Sequence, residues 1–308
     1  MSSGHEHHRG PVSSADTTLR GRQRRVLRLV LTANAGFLVV EVVGGIAFGS
    51  LALLADAAHM LSDVAALTIA LVAQTLAGRP ATDRHSFGMK RAEVVGAQAN
   101  GVILAASSGW IVFEAVRRIG EPTEVDGFGL LVVATVGLVV NLVSALALAR
   151  VSAGNLNLRG AMLHLFADAA GSVAAMVAGV AVLVAGADWV DPAVSILIAV
   201  LVLWAALRLV SEANGVVMMA TPASVDPQAV VARLCAEPGV VDVHHLHVWS
   251  LASDSPTMSA HVVLENDLML HEAQERGDTL KDLLADDFGI EHVTLELECH
   301  ECEAPIHE

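Results

Sequence analysis

Two apolar stretches of the chain each carry a histidine and an aspartate four residues apart, His59 and Asp63 in one, His164 and Asp168 in the other. Both stretches are apolar enough to cross a bilayer. An ionisable group at that depth is costly unless it pairs, faces a water-filled cavity or holds an ion. The i, i+4 spacing stacks imidazole and carboxylate on one helix face, about 6 Å apart along the axis. Each helix thus offers half of a metal site, and bundles build such sites from side chains on facing helices. One such pair is explained as well by capping or hydrogen bonding within its own bundle without a metal; two at identical spacing are not. Two imidazoles and two carboxylates suit a tetrahedral divalent ion, zinc first, with cobalt and cadmium as competitors. Asp56, one turn before His59, is expected to orient that histidine or line the mouth of the site, outside the ligand set.

Composition fits this setting, with 54% hydrophobic and 17% charged residues. The net charge of −15 arises largely after Glu212, which divides the chain into an apolar body and an acidic end and argues against nucleic acid as a partner. Six apolar runs, at about 26–48, 51–76, 94–116, 128–149, 161–185 and 192–210, are each long enough to span the hydrocarbon core. Arg20, Arg22, Arg24, Arg25 and Arg28 precede the first and place the N-terminus in the cytoplasm. Arg79, Arg84, Lys90 and Arg91 mark a second cytosolic loop, Arg150 and Arg159 a third, and even parity returns the C-terminus to the same side. Arg117 and Arg118 run against this bias at an outer end, diluted by Glu121, Glu124 and Asp126.

The predicted fold is therefore mostly α: a six-helix transmembrane bundle over residues 26–213, then a small cytosolic α+β domain over 214–298. In the latter, helix 227–237, strands 240–251 and 257–265, helix 270–288 and strand 292–298 follow in the order αββαβ, the pattern of a ferredoxin-like split βαβ sheet. Residues 1–25 read as a disordered cytosolic tail, in which His5, His7 and His8 are either solvated or weakly metal-collecting. Residues 299–308 form a Cys/His tail. Its Cys299 and Cys302 are spaced as a soft-metal clamp, and the odd total of three cysteines on a cytosolic side favours reduced thiols.

Metal binds the deprotonated forms of these ligands, so protons and zinc compete for the intramembrane site. Exchange of zinc for protons is the expected coupling.

The motifs Gly44-Gly45, Ser50 through Asp63, His85-Ser86-Phe87-Gly88 and His244-His245-Leu246-His247-Val248-Trp249 resemble those of the cation diffusion facilitators, close to their zinc-transporting branch. The resemblance runs from about residue 26 to the end. It implies a homodimer of six-span protomers in a bacterial cell membrane, alternating access around the four-ligand site, and export of zinc from the cytosol. It further implies cytosolic metal ligands at His244, His261 and Glu298, with strand alternation leaving Glu296 also available. His5 and His7 would complete the Cys299 and Cys302 site on the partner protomer, as similar tails do in some relatives. Thr82 stands where part of the family has an acidic ligand, so His85 is expected to close its loop at least as readily as to bind metal. His245 and His247 are expected to pack or hydrogen-bond within their strand.

Two rival readings remain at this level: a zinc-dependent membrane hydrolase and a membrane-anchored metal sensor. The chain has no His-Glu-x-x-His helix and no nucleophile elbow, and a closed four-ligand site leaves no position for water.

Overall fold

The computed structural model describes residues 14–48, 51–118, 127–185, 190–265 and 268–300; within its helices, the side chains of His59 and some neighbours lie outside the description. The chain divides into two units, Met1–Val210 and Ser211–Glu308.

The first unit is built from long helices: α1 (Ser14–Phe48), α2 (Leu51–Ala77), α3 (Ala92–Arg118), α4 (Gly127–Ala149), α5 (Leu156–Ala185) and α6 (Val190–Val217). Among the described residues, Met60–Ala77, Ala92–Arg117 and Ala193–Val217 are long and apolar enough to cross a membrane. Helix α1 begins well before the predicted span and takes in residues 14–25, which the sequence reading assigned to a disordered tail. Arginine and glutamine are good helix formers, and Gln23 is buried at 3% exposure, so this segment gains both propensity and packing.

Helices α4 and α5 pack together, as do α1 and α2, and α5 also touches α2 and α3. Leu27, Leu67, Ala70, Leu148, Leu158 and Leu165 form the apolar centre of this bundle. Outward-facing positions are apolar as well, with Trp110, Val139, Leu201 and Trp204 all more than half exposed. Polar groups lie inside instead, among them Asn34, Asp63, Gln74, Glu93, Asn100 and His164. An apolar outside around a polar inside is the arrangement a bilayer selects.

Close helix approach depends on glycine. A Cβ on Gly96 of α3 would lie 2.5 Å from both the Ala73 Cβ of α2 and the Asn157 Oδ1 of α5. Small residues at such crossings let membrane helices meet at van der Waals distance.

The second unit follows the order α7 (Pro227–Cys235), β1 (Val240–Ser250), β2 (Pro256–Leu264), α8 (Leu270–Phe288) and β3 (His292–Glu298). Strands β1 and β2 are antiparallel, and β2 and β3 are parallel across the α8 crossover. Asp226 caps α7 by accepting from the Gln228 N–H at 2.9 Å, with Pro227 at the first helical position. Gly289 ends α8 at φ 67°, a left-handed turn that glycine adopts without steric cost. Leu234, Met258, Val262, Leu280, Leu284 and Ile290 are fully buried between the sheet and the helices.

Candidate metal centres

Helices α2 and α5 bring three of the four predicted intramembrane ligands together. His164 Nε2 lies 3.0 Å from Asp63 Oδ1 and 3.8 Å from Asp168 Oδ2. One ligand atom from each of the three falls within 4.8 Å of the others. The Asp63 side chain is fully buried and that of His164 only 4% exposed. Two carboxylates around one imidazole leave negative charge in a low-dielectric interior, which calls for a cation or for protons. Asp63 Oδ2 makes the need specific, being buried without a hydrogen-bond partner among the described residues. His59 stands one turn before Asp63 on α2, and its side chain lies outside the described residues.

A second cluster sits on the sheet of the C-terminal unit. His244 of β1 pairs directly with His261 of β2, and Glu298 follows Glu296 on the adjacent β3. Glu298 Oε1 is 2.6 Å from His261 Nδ1, and its Oε2 is 3.3 Å from His244 Nε2. Glu296 reaches the other nitrogen of His261 at 3.4 Å, and Asp242 the other nitrogen of His244 at 3.4 Å. Period-two alternation puts Glu296 and Glu298 on the face of the histidine pair. His244, His261 and Glu298 each supply an atom within 4.8 Å of the rest, and Glu298 Oε2 is buried without satisfying hydrogen-bond geometry. Two imidazoles and a carboxylate are a donor set suited to zinc, and carboxylates on the far nitrogens of both rings are the partners that orient metal-binding histidines.

His245 differs from its expected place. Its ring does not pack away within the strand but stands 5.3 Å from that of His244 and 5.0 Å from that of His261, centroid to centroid. His247 pairs with Ser259 and is exposed. Cys299 is exposed just beyond β3, while Cys302, His5 and His7 lie outside the described residues. His85 is held in a tight turn by reciprocal backbone hydrogen bonds with Thr82, both 3.0 Å, and its side chain is exposed.

The bundle also contains a polar network that the sequence reading missed. Gln74 Nε2 donates to Gln23 Oε1 at 2.9 Å, and Asn155 Nδ2 donates to Gln74 Oε1 at 3.1 Å and Glu93 Oε2 at 2.9 Å. Gln23 Nε2 donates in turn to the Val151 carbonyl at 3.0 Å. The network ties α1, α2 and α3 to the start of α5. A signal was available in Gln74, which interrupts a run that is otherwise apolar.

The transmembrane-domain model of the cation efflux proteins matches residues 27–216, and the model of their cytoplasmic domain matches residues 222–300. The chain is 39% identical over 283 residues to the zinc transporter ZitB of Escherichia coli K12, covering 91% of this chain and 89% of that protein. It is 38% identical over 283 residues to the metal cation efflux system protein CzcD of Cupriavidus metallidurans, with 92% and 89% covered. It is 36% identical over 282 residues to the cadmium, cobalt and zinc/H(+)-K(+) antiporter of Bacillus subtilis 168, with 90% of each covered. A buried carboxylate and imidazole cluster inside an apolar-surfaced helical bundle defines an integral membrane protein built to handle cations, and both family models extend that along the chain. This protein belongs to the cation efflux family, whose members are transporters and not enzymes.

Proposed function

We propose that the chain exports zinc from the cytoplasm across a bacterial cell membrane in exchange for protons, with cadmium and cobalt as competing cargo. The observation that carries this reading is the buried convergence of Asp63, His164 and Asp168 from α2 and α5. His59, one turn from Asp63, supplies the fourth ligand of a tetrahedral site. Relatives named as zinc transporters and as an antiporter of cadmium, cobalt and zinc against protons and potassium support the cargo and the exchange.

The chemistry of exchange follows from the ligands. His164 Nε2 and Asp63 Oδ1 lie 3.0 Å apart, so an ion entering here takes donor atoms from both side chains. Imidazole nitrogens and carboxylate oxygens bind an ion through the same lone pairs that take up a proton. Ion and proton therefore compete for the same atoms, and an ion that loads a protonated site displaces its protons. Alternating access requires the bundle to expose this site to one side at a time. Helices α1 to α6 are the six spans of that bundle, with both termini cytosolic.

The C-terminal αββαβ unit is a ferredoxin-like cytosolic domain through which two protomers associate. His244, His261 and Glu298 hold a resident zinc there, which would cross-link β1, β2 and β3. Cys299 and Cys302, with His5 and His7 of the N-terminal tail, form a further thiolate site.

Counterflow in proteoliposomes tests cargo and coupling together. With an imposed pH difference, zinc accumulates on the acidic side and the gradient is consumed. Zinc flux indifferent to the pH difference removes the exchange, and flux surviving Asp63→Ala removes the site.

A further inference from the structure

Strands β1 and β2 are out of step at two points, between Val240 and Asp242 and again between His244 and His247, and the second bears on the metal cluster. The register runs His244 against His261 and then His247 against Ser259, so β1 spends three steps where β2 spends two. One residue of β1 is extra. Its identity follows from which face each side chain takes. Val243 and Val248 lie in the buried core and Leu246 packs against it, while His244 and His247 share the opposite face with their partners His261 and Ser259. Ordinary alternation accounts for 243, 244, 246, 247 and 248 and leaves His245 over. A bulge at this position re-aims one side chain and keeps the pleat of the rest intact.

The backbone shows how. His245 has φ 49°, in the left-handed region that a residue with a Cβ enters only at a cost. Without that turn, successive side chains would point to opposite faces and the His245 ring would enter the core. With it, the ring stands beside those of His244 and His261, at 5.3 and 5.0 Å. Among the described residues, no hydrogen bond or ion pair holds this ring, so the strain is not offset by one.

We infer that His245 is the fourth protein donor of the cytosolic divalent-cation site. The inference rests on the reading of His244, His261 and Glu298 as that site. Those three supply three ligand atoms, whereas a structural zinc is closed by four protein ligands. The bulge brings a third imidazole to the edge of the same cluster, and three imidazoles with one carboxylate complete a tetrahedral set. The extra residue in β1 is thus explained by its side chain.

The test uses the full-length protein in detergent, with Asp63→Asn and Asp168→Asn silencing the intramembrane site, and zinc affinity read by competition with a chromophoric chelator. His245→Gly is the informative variant because glycine suits the left-handed backbone while removing the ring. Expected is a loss of zinc affinity of at least about tenfold, with the metal-free thermal midpoint unchanged or raised. His247→Ala, on the same face but outside the cluster, keeps the parent affinity. Bound Co2+ gives intense four-coordinate bands in the parent and weaker, shifted ones in His245→Gly. An affinity for His245→Gly within twofold of the parent, or a loss matched by an equally large fall in metal-free stability, overturns the inference. His261→Ala separates this from failure of the underlying reading: if it too leaves affinity unchanged, no cytosolic site exists at these residues.

Discussion

His164 on α5 and Asp63 on α2 are 101 residues apart in sequence, and their side chains meet at 3.0 Å in the buried interior of the bundle. Neither helix carries a binding site alone. Any ion held there is shared between two helices, so its arrival and departure couple directly to how α2 and α5 sit against each other.

Asp63→Asn keeps the shape of the side chain and removes its charge. Zinc flux in proteoliposomes falls at least about 100-fold, beyond what loss of a merely orienting partner costs. Thermal stability in the metal-free state, read on the same preparation, does not fall, because the substitution relieves a fully buried carboxylate. Flux within tenfold of the parent would contradict the site.

Asn155 acts twice at the start of α5. Its Oδ1 accepts from the Leu158 N–H at 2.9 Å as a helix cap, and its Nδ2 serves Gln74 and Glu93. Asn155→Ala removes the cap and the buried donor to Gln74 and Glu93, lowering stability by about 2–4 kcal/mol. A thermal unfolding series in detergent, with the conservative Asn155→Asp alongside, measures it.

Gly96→Ala places a methyl group 2.5 Å from the Ala73 Cβ, which cannot rotate away. Helices α2 and α3 must part, at a cost of about 1–3 kcal/mol. Gly109→Ala on the same helix meets nothing within 4 Å and is neutral or stabilising. The difference between the two thermal midpoints isolates the close approach from helix propensity.

His85→Ala leaves zinc flux within about twofold, as expected for a surface substitution away from any buried feature. The turn it belongs to is closed by backbone groups of Thr82 and His85, which the substitution retains. A large loss of flux would restore His85 as a ligand.

Much of the site was legible because helix and strand periodicities are local. The spacing of His164 and Asp168 put both on one face of α5 before any fold was known, and alternation did the same for Glu296 and Glu298 on β3. Residues 14–25 read as disordered because they are polar and lack an apolar core, whereas in α1 Gln23 finds buried partners on α2 and beside α5. Asn155 and Glu93 went unremarked for a related reason. A polar residue near the end of a span looks solvated until the helices that bury it are in place.

The sequence by itself determined the apolar lengths, the paired His and Asp spacing and the order αββαβ, since each depends only on neighbours a few residues away along one element. Tertiary structure decided which elements meet: the convergence of α2 with α5, the closed polar network around Asn155 and the extra residue at His245. Hydrophobic pattern specifies a face, and many partners can cover a face. A bulge or a buried hydrogen bond exists only once the partner and its register are chosen.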